Sequence, residues 1–208
     1  MARVRDVARE SFPIAAVAIL ATAYTRLDVL VIAPLAGSVA LGLYSYAYRV
    51  SEPFRFVASA IDTTLYSYLS SRSGGVRPGR LFVVVASYAL LFAAGAALSG
   101  WVLVRVLYVD YREALPAVYI LSAALCIRCL NGYFGAYLYA QGMYDAVLKI
   151  AMCNTIFMSV LIYPMVSTLG IVGAACSLLA VEVLNFLLQG RNVRAVSRQL
   201  APDQGPVR

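Results

Sequence analysis

Histidine is absent from this sequence, lysine and tryptophan each occur once, and only 13% of the 208 residues are charged. Without histidine, most zinc and haem ligation and all imidazole acid–base chemistry are excluded. Soluble domains carry roughly 25% charged residues. With 62% hydrophobic residues and a mean hydropathy of +0.80, the chain is instead a membrane protein by composition. Its four cysteines, 126, 129, 153 and 176, all lie in apolar runs rather than in loops that could build a disulfide framework. The Cys126-x-x-Cys129 pair has neither a histidine nor a second pair beside it, and is read as small packing residues. There is no Gly-rich nucleotide loop, no DxD motif and no Ser/His/Asp set, so neither an enzyme nor a cofactor is expected. The net charge of +7 does not point to nucleic acid either, because no polar domain carries a basic stripe.

What the sequence does hold is a series of long apolar runs. They predict an all-α, polytopic bundle of six transmembrane helices at about 11–35, 38–69, 81–107, 114–141, 146–167 and 171–190. A charged leader (1–10) precedes the bundle and a polar tail (191–208) follows it. Ala21-Thr22-Ala23 resembles a signal-peptide cleavage site, but the apolar run resumes at Val29 and completes a full span. The second run is the longest, at ~50 Å of helix against ~30 Å of hydrocarbon, and Pro53 is the expected place for a kink. Arg3, Arg5, Arg9, Arg72, Arg77, Arg80, Lys149, Arg191, Arg194, Arg198 and Arg208 fall on the side of the termini, whereas Arg112 and Arg105 fall on the other. Cationic loops stay inside, so both termini are expected in the cytoplasm of a cell-membrane protein.

Several charges lie within these apolar runs. Counted along each helix from the end away from the termini, Arg26, Arg49 and Glu182 lie ~15–16 Å deep, Asp28 ~12 Å, Glu52 and Arg128 ~21 Å and Arg55 ~25 Å. A charge near mid-bilayer costs at least ~2.5–3.5 kcal/mol on insertion scales, so each needs protein or water around it. Arg49, Glu52, Arg55 and Asp62 share a sector of roughly 140° on the second helix. Pairing of Arg26 with Glu52 and of Asp28 with Arg49 is therefore expected across helices. Four intramembrane arginines (26, 49, 55 and 128) face three carboxylates (28, 52 and 182), which leaves surplus positive charge. Helix four also contributes Asn131. Such a layer is either paired packing or a wet cavity for an anion, and phosphate suits the planar arginine fork.

Residues 25–53, TRLDVLVIAPLAGSVALGLYSYAYRVSEP, carry Arg26 and Asp28 as Arg-x-Asp, followed by Gly42, Tyr44, Ala47, Tyr48 and Arg49 as Gly-x-Tyr-x-x-Ala-Tyr-Arg. This pattern resembles the start of the second (C-terminal) lobe of polysaccharide-biosynthesis, O-antigen-type flippases. These belong to the multidrug/oligosaccharidyl-lipid/polysaccharide exporter superfamily. YREALPAVYIL (111–121) and STLGIVGAACSLL (167–179) are similar to later helices of that family. The resemblance implies a multi-pass transporter that moves a lipid-linked oligosaccharide or polysaccharide precursor between leaflets by alternating access. It also implies that cavity arginines hold the (pyro)phosphate of the carrier lipid, a role that falls on Arg26 and Arg49. Arg55, Arg128 and Asn131 join them as candidate cavity residues by position, with Asp28, Glu52 and Glu182 as ion-pair or coupling groups. Since one lobe makes half a cavity, a homodimer or a separate partner lobe is expected. The alternatives are a non-transporting scaffold, a truncated half-transporter fragment, or a cation-coupled drug exporter, whose cavity would be dominated by acidic residues.

Overall fold

A computed structural model describes residues 12, 15–71, 78–106 and 109–200, with the side chains of 78–80 and 198–200 left aside. The predicted leader, the three loop arginines 72, 77 and 80, and the end of the tail lie outside the described side chains. The described residues are helical apart from the turns at 25–26 and 141–143, without a strand. In chain order they form α1 (15–24), α2 (Leu27–Ser71), α3 (Pro78–Val106), a 3-10 turn (Val109–Ala114), α4 (Leu115–Ala140) and α5 (Tyr144–Leu200). Four helical stretches are long and apolar enough to cross a membrane: Ala15–Ser71, Leu81–Val106, Val109–Ala140 and Tyr144–Ser197. The chain is thus a membrane-type helical bundle.

Two of those stretches exceed 50 residues, and each breaks at a glycine. Gly37 (φ 84°, ψ 176°) interrupts α2 and Gly170 (φ 58°, ψ −132°) interrupts α5. Positive φ is accessible to glycine at no steric cost and strains residues with a Cβ. At Gly37 the chain folds back. Tyr44 donates a 2.5 Å hydrogen bond to Asp28, sixteen residues away, where a straight helix would separate them by ~24 Å. At Gly170 the two arms pack closely enough that a Cβ on Gly173 would collide with the backbone carbonyl of Met165. Helical dihedrals persist through Pro53, so the break falls at Gly37 and not at the proline. The last helix likewise runs through Gly190 to Leu200 and covers the first ten residues of the predicted tail.

The Gly173 contact gives a direct test. A methyl group there has backbone for a neighbour, which cannot rotate away, so the arms must part. Gly173→Ala is expected to destabilise the bundle by about 1–3 kcal/mol, the usual range for overpacking. An SDS titration followed by circular dichroism reads this as an earlier unfolding midpoint.

Packing centres on α4, which meets α2, α3 and α5. The main core joins Tyr24 and Ile32, Tyr44 and Ala47, Val118 and Leu121, and Met158, Ala174 and Val181. A second cluster near the chain termini joins Leu69, Leu138, Ile150 and Val193. The third is a seam of small residues (Ala58, Ala89, Ala96 and Cys129) that lets α2, α3 and α4 approach closely. All four cysteines are free. Arg26, Arg55 and Arg128 gather beside Tyr48, where the α1–α2 turn, α2 and α4 come together.

Candidate functional site

The site begins with a loosened turn. Between α1 and α2 the backbone at Thr25 and Arg26 leaves regular helix: Arg26 N–H bonds the carbonyl of Ala23, three residues back, and the Thr25 hydroxyl donates to Ala21 and Thr22. Arg26 leaves this turn exposed and lies over the ring of Tyr48, its guanidinium carbon 5.5 Å from the centroid. Arg55, two residues after Pro53 on the second arm of α2, covers Tyr48 as well, at 4.4 Å. One phenol ring thus holds two guanidinium groups through its electron-rich face, at roughly 0.5–2 kcal/mol each.

Around Tyr48 lies a chamber of about 230 Å³ whose walls include Arg26, Glu52, Arg55, Ser59 and Arg128. Behind it is a recess of about 20 Å³, bounded by Ser51, Leu121, Leu178 and Glu182 and sharing Tyr48, Arg55 and Arg128 with the chamber. The recess is large enough for about one water molecule, and its polar walls offer that water partners.

The back wall is a fixed polar triad. Arg128 Nη1 donates to Glu182 Oε1 at 3.3 Å, and this is the one ion pair among the described residues. Asn131 Nδ2 donates to Glu182 Oε2 at 2.7 Å and to the Glu182 carbonyl at 3.0 Å. Both carboxylate oxygens of Glu182 are therefore occupied, and the side chain is only 3% exposed. Arg128 is 41% exposed, so it is anchored at one end and open to the chamber at the other. With Glu52 and Glu182 set against Arg26, Arg55 and Arg128, the site keeps an excess of positive charge.

The predicted residues divide on this geometry. Arg26, Arg55, Arg128, Glu52 and Glu182 border the chamber or its recess, and Asn131 supports them. Arg49 is exposed and borders neither space. The anticipated Asp28–Arg49 pair is not formed, because Asp28 is fully buried and bonded to the Tyr44 hydroxyl and the Val29 N–H. Nor is Arg26 ion-paired with Glu52, although both border the chamber. Asp62, in the same sector of α2, borders neither space. Its carboxyl group packs on the backbone of Gly132, and Oδ1 is buried without a hydrogen-bond partner.

Tyr48 is the residue that sequence reasoning passed over. It stood in the quoted motif only as a pattern residue, although an aromatic ring seven residues before Arg55 on one helix is a visible signal for a stacked cation. Among the described residues, no cluster of three or more Cys, Asp or Glu groups suited to a metal ion forms. No family model matches the chain, and neither a curated protein nor a solved structure matches it.

Proposed function

We propose that the chain is one lobe of a membrane transporter that moves a lipid-linked saccharide between leaflets, holding the anionic headgroup in the Arg26–Arg55–Arg128 chamber. In this reading α1 with the first arm of α2, the second arm of α2, α3, α4 and the two arms of α5 make six passes, with both termini in the cytoplasm. The observation that carries the proposal is the chamber itself, with three arginines around 230 Å³ in an apolar bundle and only Arg128 tied to a carboxylate. Guanidinium groups without a fixed partner have fork geometry and charge left over for phosphate oxygens. The predominance of arginine also separates this chamber from the acidic cavity of a cation-coupled exporter.

Size supports a second lobe. At about 230 Å³ the chamber lies below the roughly 300–1,000 Å³ typical of small-molecule sites, so it takes a headgroup and not the attached glycan. The exposed flank of α2 carries the charged Arg49, which is costly in lipid and suited to a facing lobe. A second copy or a separate chain would complete the cavity there, in the lobe-against-lobe manner of repeat-built transporters.

Native mass spectrometry of the chain in nanodiscs, with a polyprenyl diphosphate saccharide added, tests both parts. A two-lobe particle that retains this lipid over its neutral saccharide counterpart is the expected result. A monomer that retains neither would overturn the transport reading and favour a scaffold.

A further inference from the structure

A second cavity shares no residue with the arginine chamber. Where α3, α4 and the last part of α5 meet, a groove of about 480 Å³ opens beside Phe82, Phe134, Phe186, Gly190, Arg191 and Arg194. The Phe82 and Phe134 rings stack 5.8 Å apart with planes 13° from parallel, and Phe186 lies 5.2 Å from Phe134. Together they make a continuous aromatic wall. Gly190 keeps the groove open: a Cβ there would touch Phe134 at 3.6 Å, and any longer side chain would enter the space. Arg191 and Arg194 are both exposed, and the groove lining contains no carboxylate to neutralise them.

Depth matches this division into apolar wall and cationic rim. Counted from the break at Gly170, Phe186 lies ~24 Å along the arm, Arg191 ~32 Å and Arg194 ~36 Å. Against a hydrocarbon core of ~30 Å, the rings fall within the acyl region and the two cations at headgroup level. Arginine pairs at the membrane boundary between transmembrane helices suit anionic lipid headgroups. We propose that this groove binds an anionic phospholipid of the leaflet nearer the chain termini, with an acyl chain along the aromatic wall and the phosphate between Arg191 and Arg194.

The test is native mass spectrometry of the full chain released from nanodiscs that contain equal amounts of phosphatidylglycerol and phosphatidylcholine. Preferential retention of phosphatidylglycerol is expected. At about fivefold per cation, the Arg191→Gln/Arg194→Gln variant should lose roughly 30-fold of that preference. Gly190→Leu, with both arginines present, should lose the bound lipid itself. Lys149→Gln, which removes a cation that lines a different hollow, should leave the preference intact. Equal retention of the two lipids by the parent chain would overturn the proposal. So would an unchanged preference in the double variant, or a matching loss in Lys149→Gln, which would mean general surface charge. Circular dichroism of each variant before lipid exchange separates lost binding from lost folding. No residue of the arginine chamber is altered, so the outcome is independent of the transport reading.

Discussion

Arg55→Gln is expected to weaken retention of a polyprenyl diphosphate saccharide by roughly 10–150-fold, the fold-change equivalent of losing one hydrogen-bonded charge worth about 1.5–3 kcal/mol. Arg55 borders both the chamber and its recess and is held by the Tyr48 ring at 4.4 Å, without an ion-paired carboxylate. Removing it therefore orphans no buried partner, and the fold should persist with an unchanged unfolding midpoint. Arg49→Gln provides the contrast: because Arg49 borders neither space, binding by a single lobe should change less than about threefold, in keeping with the small contribution of an unpaired exposed charge. Lipid retention by native mass spectrometry measures both variants on one scale. Equal losses from the two would remove the chamber as the headgroup site. Tyr48→Leu should fall between them, since it frees Arg26 and Arg55 without removing either charge.

The largest effect on stability is expected at Glu182. Its two carboxylate oxygens serve Arg128 and Asn131, and no other acid among the described residues ion-pairs with Arg128. Glu182→Leu would leave a cation and an amide facing an apolar side chain, at a cost of roughly 3 kcal/mol, the lower end for a broken buried pair because Arg128 is partly open to the chamber. Restoring neutrality with Arg128→Met/Glu182→Leu should recover most of that loss, since well-packed apolar replacements of buried pairs are often neutral. An SDS unfolding series on the two single variants and the double variant gives the coupling energy directly. A double variant that merely sums the single losses would show that the two side chains act separately.

How far these features were legible in the sequence depends on the range of the interaction. The apolar runs announced membrane-length helices because hydrophobicity is counted locally, and Gly37 and Gly170 lie close to the predicted boundaries between runs. Pro53 misled because a missing N–H costs one hydrogen bond, which a long helix tolerates, whereas a positive φ turns the chain. The shared face of Arg49, Glu52 and Arg55 was correctly periodic, yet periodicity does not reveal which flank of a 140° sector meets a neighbour. Glu52 and Arg55 reached the chamber, and Arg49, 60° further round, did not. Depth counting placed Arg128 and Glu182 in neighbouring layers. That Asn131 would bind Glu182 across 51 residues depends on how α4 crosses α5, which only tertiary structure states. The expected Asp28–Arg49 pair is absent for a simple reason: a search for opposite charges does not consider that a phenol hydroxyl can satisfy a carboxylate.

The fold at Gly37 has a consequence for how the protein is made. The first arm leaves the ribosome carrying Arg26 and Asp28, either of which costs ~2.5–3.5 kcal/mol near the bilayer centre. Both partners come from the second arm, since Tyr44 bonds Asp28 and Tyr48 stacks under Arg26. On its own the first arm has no such shelter and gains by remaining in the insertion machinery. Twenty residues separate Asp28 from Tyr48, so on the six-pass reading proposed above the two arms are expected to enter lipid together, with Asp28 bonded to Tyr44 and Arg26 stacked on Tyr48.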